Sequence, residues 1–211
     1  MSETDVGEVG LAHAHKPAHG ITPSQTVGPF FAFALTPGTR YAFSTLAGSD
    51  LITADAVGEQ IAIGGRVTDG DGMPVPDAMV EIWQADGAGR YPGSDRGANI
   101  AFKGFGRSET VNEGVFSFRT VRPGAVPGPG GTRQAPHINV GVFARGTLRR
   151  MFTRIYFENE SANETDPILK LVPADRRQTL IARRNGTAGG LPRYVFDIRL
   201  QGENETVFFE A

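Results

Sequence analysis

The chain has 211 residues, a formal net charge of −2 and no cysteine. That length suits one sizeable core, the absent thiols exclude disulfides, thiolate metal sites and cysteine nucleophiles, and a near-neutral balance without a basic block argues against nucleic-acid binding. With 28 glycines and 14 prolines, short strands and many turns are expected rather than long helices.

Residues 1–20 are polar, rich in histidine and without period, and read as a flexible N-terminal tail. The stretch has neither the basic nor the apolar region of a signal peptide, so a cytoplasmic protein is expected. His13, His15 and His19 could in principle share a metal, but a mobile segment would have to be ordered first. Residues 21–60 read as an arm. It opens on Thr22-Pro-Ser-Gln-Thr26 with Gly28 and Pro29, and Phe30, Phe31 and Phe33 then give it an apolar face expected to dock on a partner chain, with docking on its own core as the alternative.

From residue 61 to 211 strand patterns dominate. IAIGGRVTD and AMVEIWQAD flank a run of turn formers and suggest a hairpin. VFSFRTV (115–121), HINVGVFA (137–144), RMFTRIYF (150–157) and RYVFDIRL (193–200) follow, with VFF (207–209) as a closing strand. In RYVFDIRL the apolar Tyr194, Phe196, Ile198 and Leu200 alternate with Val195, Asp197 and Arg199. One short helix is expected over 174–184, between Pro173 and Asn185-Gly186. The sum is an all-β fold: a β-sandwich of mostly antiparallel strands with long loops and one short helix.

Few side chains suit chemistry. There is no nucleophile elbow, no HExxH, no Walker motif and no GxGxxG opening a helix. Asp69 and Asp71 lie in a turn that favours aspartate for structural reasons. Trp83 reads as a core anchor. His137 and Asn139 sit two apart in a strand, so they share a face, but an amide is a poor transition-metal ligand.

The strings Glu81-Ile-Trp-Gln-Ala-Asp86, Gly89-Arg-Tyr91, Phe116-Ser-Phe-Arg-Thr120, Arg122-Pro-Gly124, Pro136-His-Ile138 and Tyr194-Val-Phe-Asp-Ile-Arg199 closely resemble intradiol ring-cleavage dioxygenases in order and spacing, over roughly residues 22–211. The resemblance implies a non-haem ferric ion held by two tyrosinates and two histidines, acting on a catechol and O₂. The chain departs from that pattern at three of the four ligand places. Val126 stands where a tyrosine would be, Asn139 replaces the second histidine, and the loop 92–107 has no tyrosine. His137 and Asn139 then read as a hydrogen-bonded pair in a vestigial site, and no iron and no catalytic residue are expected in this chain.

Within the family this pattern is that of the alpha chain of heteromeric members. A homologous beta chain there carries the Fe(III), and the substrate implied is protocatechuate. Thr26, Gly28, Pro29 and Arg145 match the positions that complete the substrate pocket, with Arg133 as a further candidate. Two other readings stay open: a self-sufficient dioxygenase using His137 with tail histidines, and a sandwich that serves only as a binding or scaffold module.

Overall fold

The computed structural model describes residues 25–28, 30–36, 47–54, 56–93, 102–110 and 113–210. The tail with His13, His15 and His19, together with Pro29 and residues 94–101 of the loop, lies outside the described residues.

Among the described residues, eleven strands and one α-helix, α1 (Phe31–Leu35), are formed. The strands are β1 (Gln60–Thr68), β2 (Met79–Gln84), β3 (Phe105–Glu109), β4 (Val115–Val121), β5 (Val126–Pro127), β6 (Arg133–Gln134), β7 (His137–Phe143), β8 (Met151–Phe157), β9 (Ile181–Ala188), β10 (Leu191–Val195) and β11 (Ile198–Arg199). β4, β1, β10 with β11, and β9 make one side of a continuous ladder, and β8, β7, β2 and β3 make the other. The two sides face each other across one core. Ile61, Ile63, Phe116 and Phe118 come from the first, and Val80, Ile82, Ile138, Val140 and Ile155 from the second. β1 runs parallel to β10 and β11, and β8 parallel to β9; the other pairings are antiparallel. This is the mostly antiparallel β-sandwich expected, nearly closed on itself.

The structure differs from the sequence reading in four places. β1 and β2 do not form a hairpin. The turn between them closes locally, with Asp69 accepting hydrogen bonds from the N–H groups of Asp71 and Met73, and the chain then crosses to the opposite side of the core. The helix expected over 174–184 is only a 3₁₀ turn at Arg177–Leu180, after which Ile181–Ala188 becomes β9. Pairing with β8 and β10 outweighs a helical propensity that buries just one residue, Leu180. VFF contributes a single bridge, between Phe209 and Phe152.

The fourth difference is a break in the RYVFDIRL strand. Its alternation holds, with Tyr194, Phe196 and Ile198 buried, but the ladder is interrupted between β10 and β11. The Asp197 carboxylate fills the gap by accepting the N–H of Arg66 at 2.9 Å, and Phe196 N–H reaches Gly64 O at 2.9 Å. The backbones come so close here that a Cβ on Gly65 would lie 1.9 Å from Phe196 O. We expect Gly65→Ala to destabilise the chain by about 3 kcal/mol. A urea midpoint close to that of the unsubstituted protein would show that β1 can move away without cost.

Candidate functional site

His137 and Asn139 open β7 and face away from the core that Ile138 enters. Three segments surround them. β8 places Tyr156 opposite His137 and Arg154 opposite Asn139. β2 places Trp83 opposite Asn139. The hairpin of β5 and β6 pairs Val126 with Gln134 just before the strand begins. The sequence-predicted vestigial positions therefore lie on neighbouring elements.

His137 is buried, and its Nδ1 lies 2.7 Å from Ala135 O. A carbonyl can only accept, so Nδ1 carries the proton and Nε2 the lone pair. Burial first, and the Arg154 charge second, lower its pKa to about 4. Asn139 Nδ2 donates to Trp83 O and to the Tyr91 hydroxyl, both at 3.3 Å. Burial raises the Tyr91 pKa, so its phenol keeps its proton at neutral pH. Burial likewise pushes Tyr156 up to about 12, and its hydroxyl donates to Asp166 Oδ1 at 3.1 Å.

Sequence reading missed two residues that organise this region. Arg154 Nη1 donates to Gln134 Oε1 at 2.6 Å and sets a fixed cation beside the vestigial positions. Asp166 is wholly buried and takes four donors: the N–H groups of Ala135, Ile168 and Leu169, and the Tyr156 hydroxyl. Its signal was the Asp166-Pro167 pair, a turn starter. For Arg154 the available signal was register alone.

The donor set does not fit a ferric ion. Val126 offers methyl groups, the Asn139 amide is engaged, and both nearby phenols are held protonated. Arg154 adds a positive charge that repels any metal cation close by. Among the described residues, no three histidine, cysteine, aspartate or glutamate side chains converge.

Trp83 corrects another expectation. It is 37% exposed and stacks on Tyr91 with ring centroids 5.7 Å apart. Val80 and Ile82 take the inward positions of β2, which puts Glu81 and Trp83 on the outer face. Glu81 is covered there by Arg107 at 2.8 Å and Arg150 at 3.1 Å.

A second group forms at the turn after β7. Thr26 Oγ1 accepts the N–H of Gly146 at 2.7 Å, so the arm and the Phe143–Gly146 turn meet. Arg145 pairs with Asp77 at 3.1 Å, yet its side chain is 62% exposed. Apart from its chain neighbours, Gly28 has no described residue within 4 Å of where a Cβ would sit. Phe31 packs on Phe143 with centroids 5.4 Å apart, while Phe30 is 74% exposed. Arg133 stands apart from this group, with its guanidinium donating to Ala125 O at 2.9 Å.

The sequence pattern of the Dioxygenase family matches residues 38–202. This chain belongs to the intradiol ring-cleavage dioxygenases. Among curated relatives, the protocatechuate 3,4-dioxygenase alpha chain of Burkholderia cepacia is 47% identical over 90% of this chain and 97% of its own length. The alpha chain from Pseudomonas putida is 43% identical over 90% of this chain and 96% of its own. The beta chain from Burkholderia cepacia is 36% identical over 72% of this chain and 68% of its own. Among solved structures, the dioxygenase domain of a carbohydrate-binding fusion from Streptomyces sp. SirexAA-E aligns with a TM-score of 0.58 at 26% identity, covering 78% of this chain and 96% of that one. Catechol 1,2-dioxygenase from Acinetobacter sp. ADP1 has a TM-score of 0.59 at 23% identity, covering 71% and 55%, and shares the fold. The fold implied by the sequence resemblance is thus the fold found.

The depressed pKa of His137 makes this dioxygenase-family chain sensitive to acid. Below the unfolded value of 6.5 the unfolded chain takes up a proton that the folded chain refuses until about pH 4. The stabilising contribution is complete above 6.5 and is lost as pH falls through this window, by on the order of 3 kcal/mol. His137→Asn lacks the titration, so its urea midpoint should fall less steeply between those pH values. Equal slopes for the two proteins would place the acid sensitivity elsewhere.

Proposed function

We propose that this chain is the iron-free alpha-type subunit of a hetero-oligomeric protocatechuate 3,4-dioxygenase, working with a homologous beta chain that holds the non-haem Fe(III). The observation that carries the reading is the donor set around β7: Val126, His137 and Asn139 beside the Arg154 cation, in a chain 47% identical to an alpha chain. The reaction of the assembled enzyme opens protocatechuate between its two hydroxyl-bearing carbons. Both atoms of O₂ enter the product, 3-carboxy-cis,cis-muconate, as a cytoplasmic step of aromatic breakdown by the β-ketoadipate route.

This chain's part is to wall and charge the pocket. Thr26 ties the arm to the Phe143–Gly146 turn and so positions Gly28, whose open side lets a partner group approach the backbone closely. Pro29 would stiffen that wall. Arg145, only part-neutralised by Asp77, would attract the carboxylate of protocatechuate. Arg133 is a weaker candidate, because its guanidinium is already used on Ala125 O. Phe30 and the exposed side of the arm would be buried against the beta chain.

Two measurements test this. Purified alone, the chain should hold no stoichiometric iron, and co-expressed with a beta chain it should co-purify in an iron-containing, active complex. A red phenolate-to-iron absorption band from the chain alone would reverse the assignment. In the complex, Arg145→Ala should raise KM for protocatechuate about tenfold, in line with losing one charge-assisted contact, while kcat changes much less. An unchanged KM would reduce Arg145 to a local ion pair with Asp77.

A further inference from the structure

On the side of the fold carried by β1, away from the vestigial site on β7, there is a cavity of about 750 Å³, within the size range of small-molecule sites. Its floor is made of small side chains. Ile61 and Ile63 point into the core, so Ala62 and Gly64 point out, and Ser117 lies opposite Gly64 on β4. Its walls carry Arg66, Arg183, Arg193 and Arg199 against a single carboxylate, Asp197.

The cross-strand register brings two of these arginines together. Arg193 pairs with Ala62, Val195 pairs with Gly64, and Arg183 lies opposite Val195. The β9–β10 register shifts at Arg193, and both Arg183 and Arg193 line the cavity with their side chains exposed. Two exposed like charges in one cavity repel each other, most at low salt, unless something neutralises them. The neighbouring groups do so only in part. Arg66 is paired with Glu113, Arg199 is held by the carbonyls of Gly70 and Gln201, and Asp197, whose Oδ1 accepts the Arg66 N–H, offsets no more than one of the two remaining charges. Neither the Arg183 nor the Arg193 guanidinium has an acceptor among the described residues.

We infer that this cavity is a binding site for a small, multiply charged oxyanion, a polycarboxylate or a phosphate, clamped between Arg183 and Arg193. Guanidinium groups suit both, because their planar forks match two oxygens at once. The site is independent of the pocket role assigned to Arg145.

Calorimetric titration of the full chain with citrate, and separately with inorganic phosphate, at constant ionic strength tests it. Saturable one-to-one binding is expected for at least one of them, and the stronger binder identifies the class. Arg183→Ala and Arg193→Ala should each weaken that binding about tenfold, whereas Arg149→Ala, an equal loss of charge outside the cavity, should change it less than about twofold. In low salt without anion, the two cavity variants should unfold at the same or a higher urea concentration than the unsubstituted chain, since repulsion is relieved. No saturable binding, an equal effect of Arg149→Ala, or a lowered urea midpoint for the cavity variants would overturn the inference.

Discussion

A carboxylate with no access to water must find all of its hydrogen-bond donors inside the protein, and Asp166 does so with three backbone N–H groups and one phenol. Those four donors come from three places: the residue two before His137, the buried Tyr156 of β8, and the turn that carries Ile168 and Leu169. Losing any of them would leave a buried charge underserved, at a cost of about 1–3 kcal/mol. Asp166 therefore fixes the entry to β7. Because the entry is fixed, Ala135 O stays within reach of His137, and Gln134 stays within reach of Arg154.

That fixed entry lets the strand keep its shape while its side chains serve one another. The sandwich fixes two kinds of feature. On β7 and β8 the polar groups satisfy one another, through Asn139 with Tyr91, Arg154 with Gln134 and Tyr156 with Asp166. At the Phe143–Gly146 turn they do not. Arg145 is largely solvent-facing, Gly28 has open space beside it, and Phe30 is uncovered. Groups that are mutually satisfied stabilise a fold, while groups left open are free to meet something else.

The strands were legible wherever alternation and burial agreed, as in VFSFRTV, HINVGVFA and RMFTRIYF, because a period of two is a local property. The misses share a cause: they depend on which strand lies beside which. ADRRQTLIARR has helix-forming residues, but Ile181–Ala188 is placed between β8 and β10 and takes the strand form their edges impose. Trp83 looks like core until the register of β2 gives the inward positions to Val80 and Ile82. The break at Phe196-Asp197 exists because a side-chain carboxylate can stand in for a backbone acceptor, which no periodicity reports. At the site, His137, Asn139 and Val126 could be read by matching residue types. Arg154 and Asp166 could not, since their importance lies in what faces them.

The position of Arg154 also makes the present state hard to leave. An imidazole placed at residue 139 would lie across the ladder from a guanidinium that repels any metal cation it could bind. Removing Arg154 first would strip Gln134 Oε1 of its donor and gain nothing in exchange. A phenol at 126 would have to enter a space now closed around a small apolar side chain. Each single step toward a metal centre is therefore neutral or harmful until the others have been taken. Arg154 is thus the group that most strongly disfavours a cation at this end of β7.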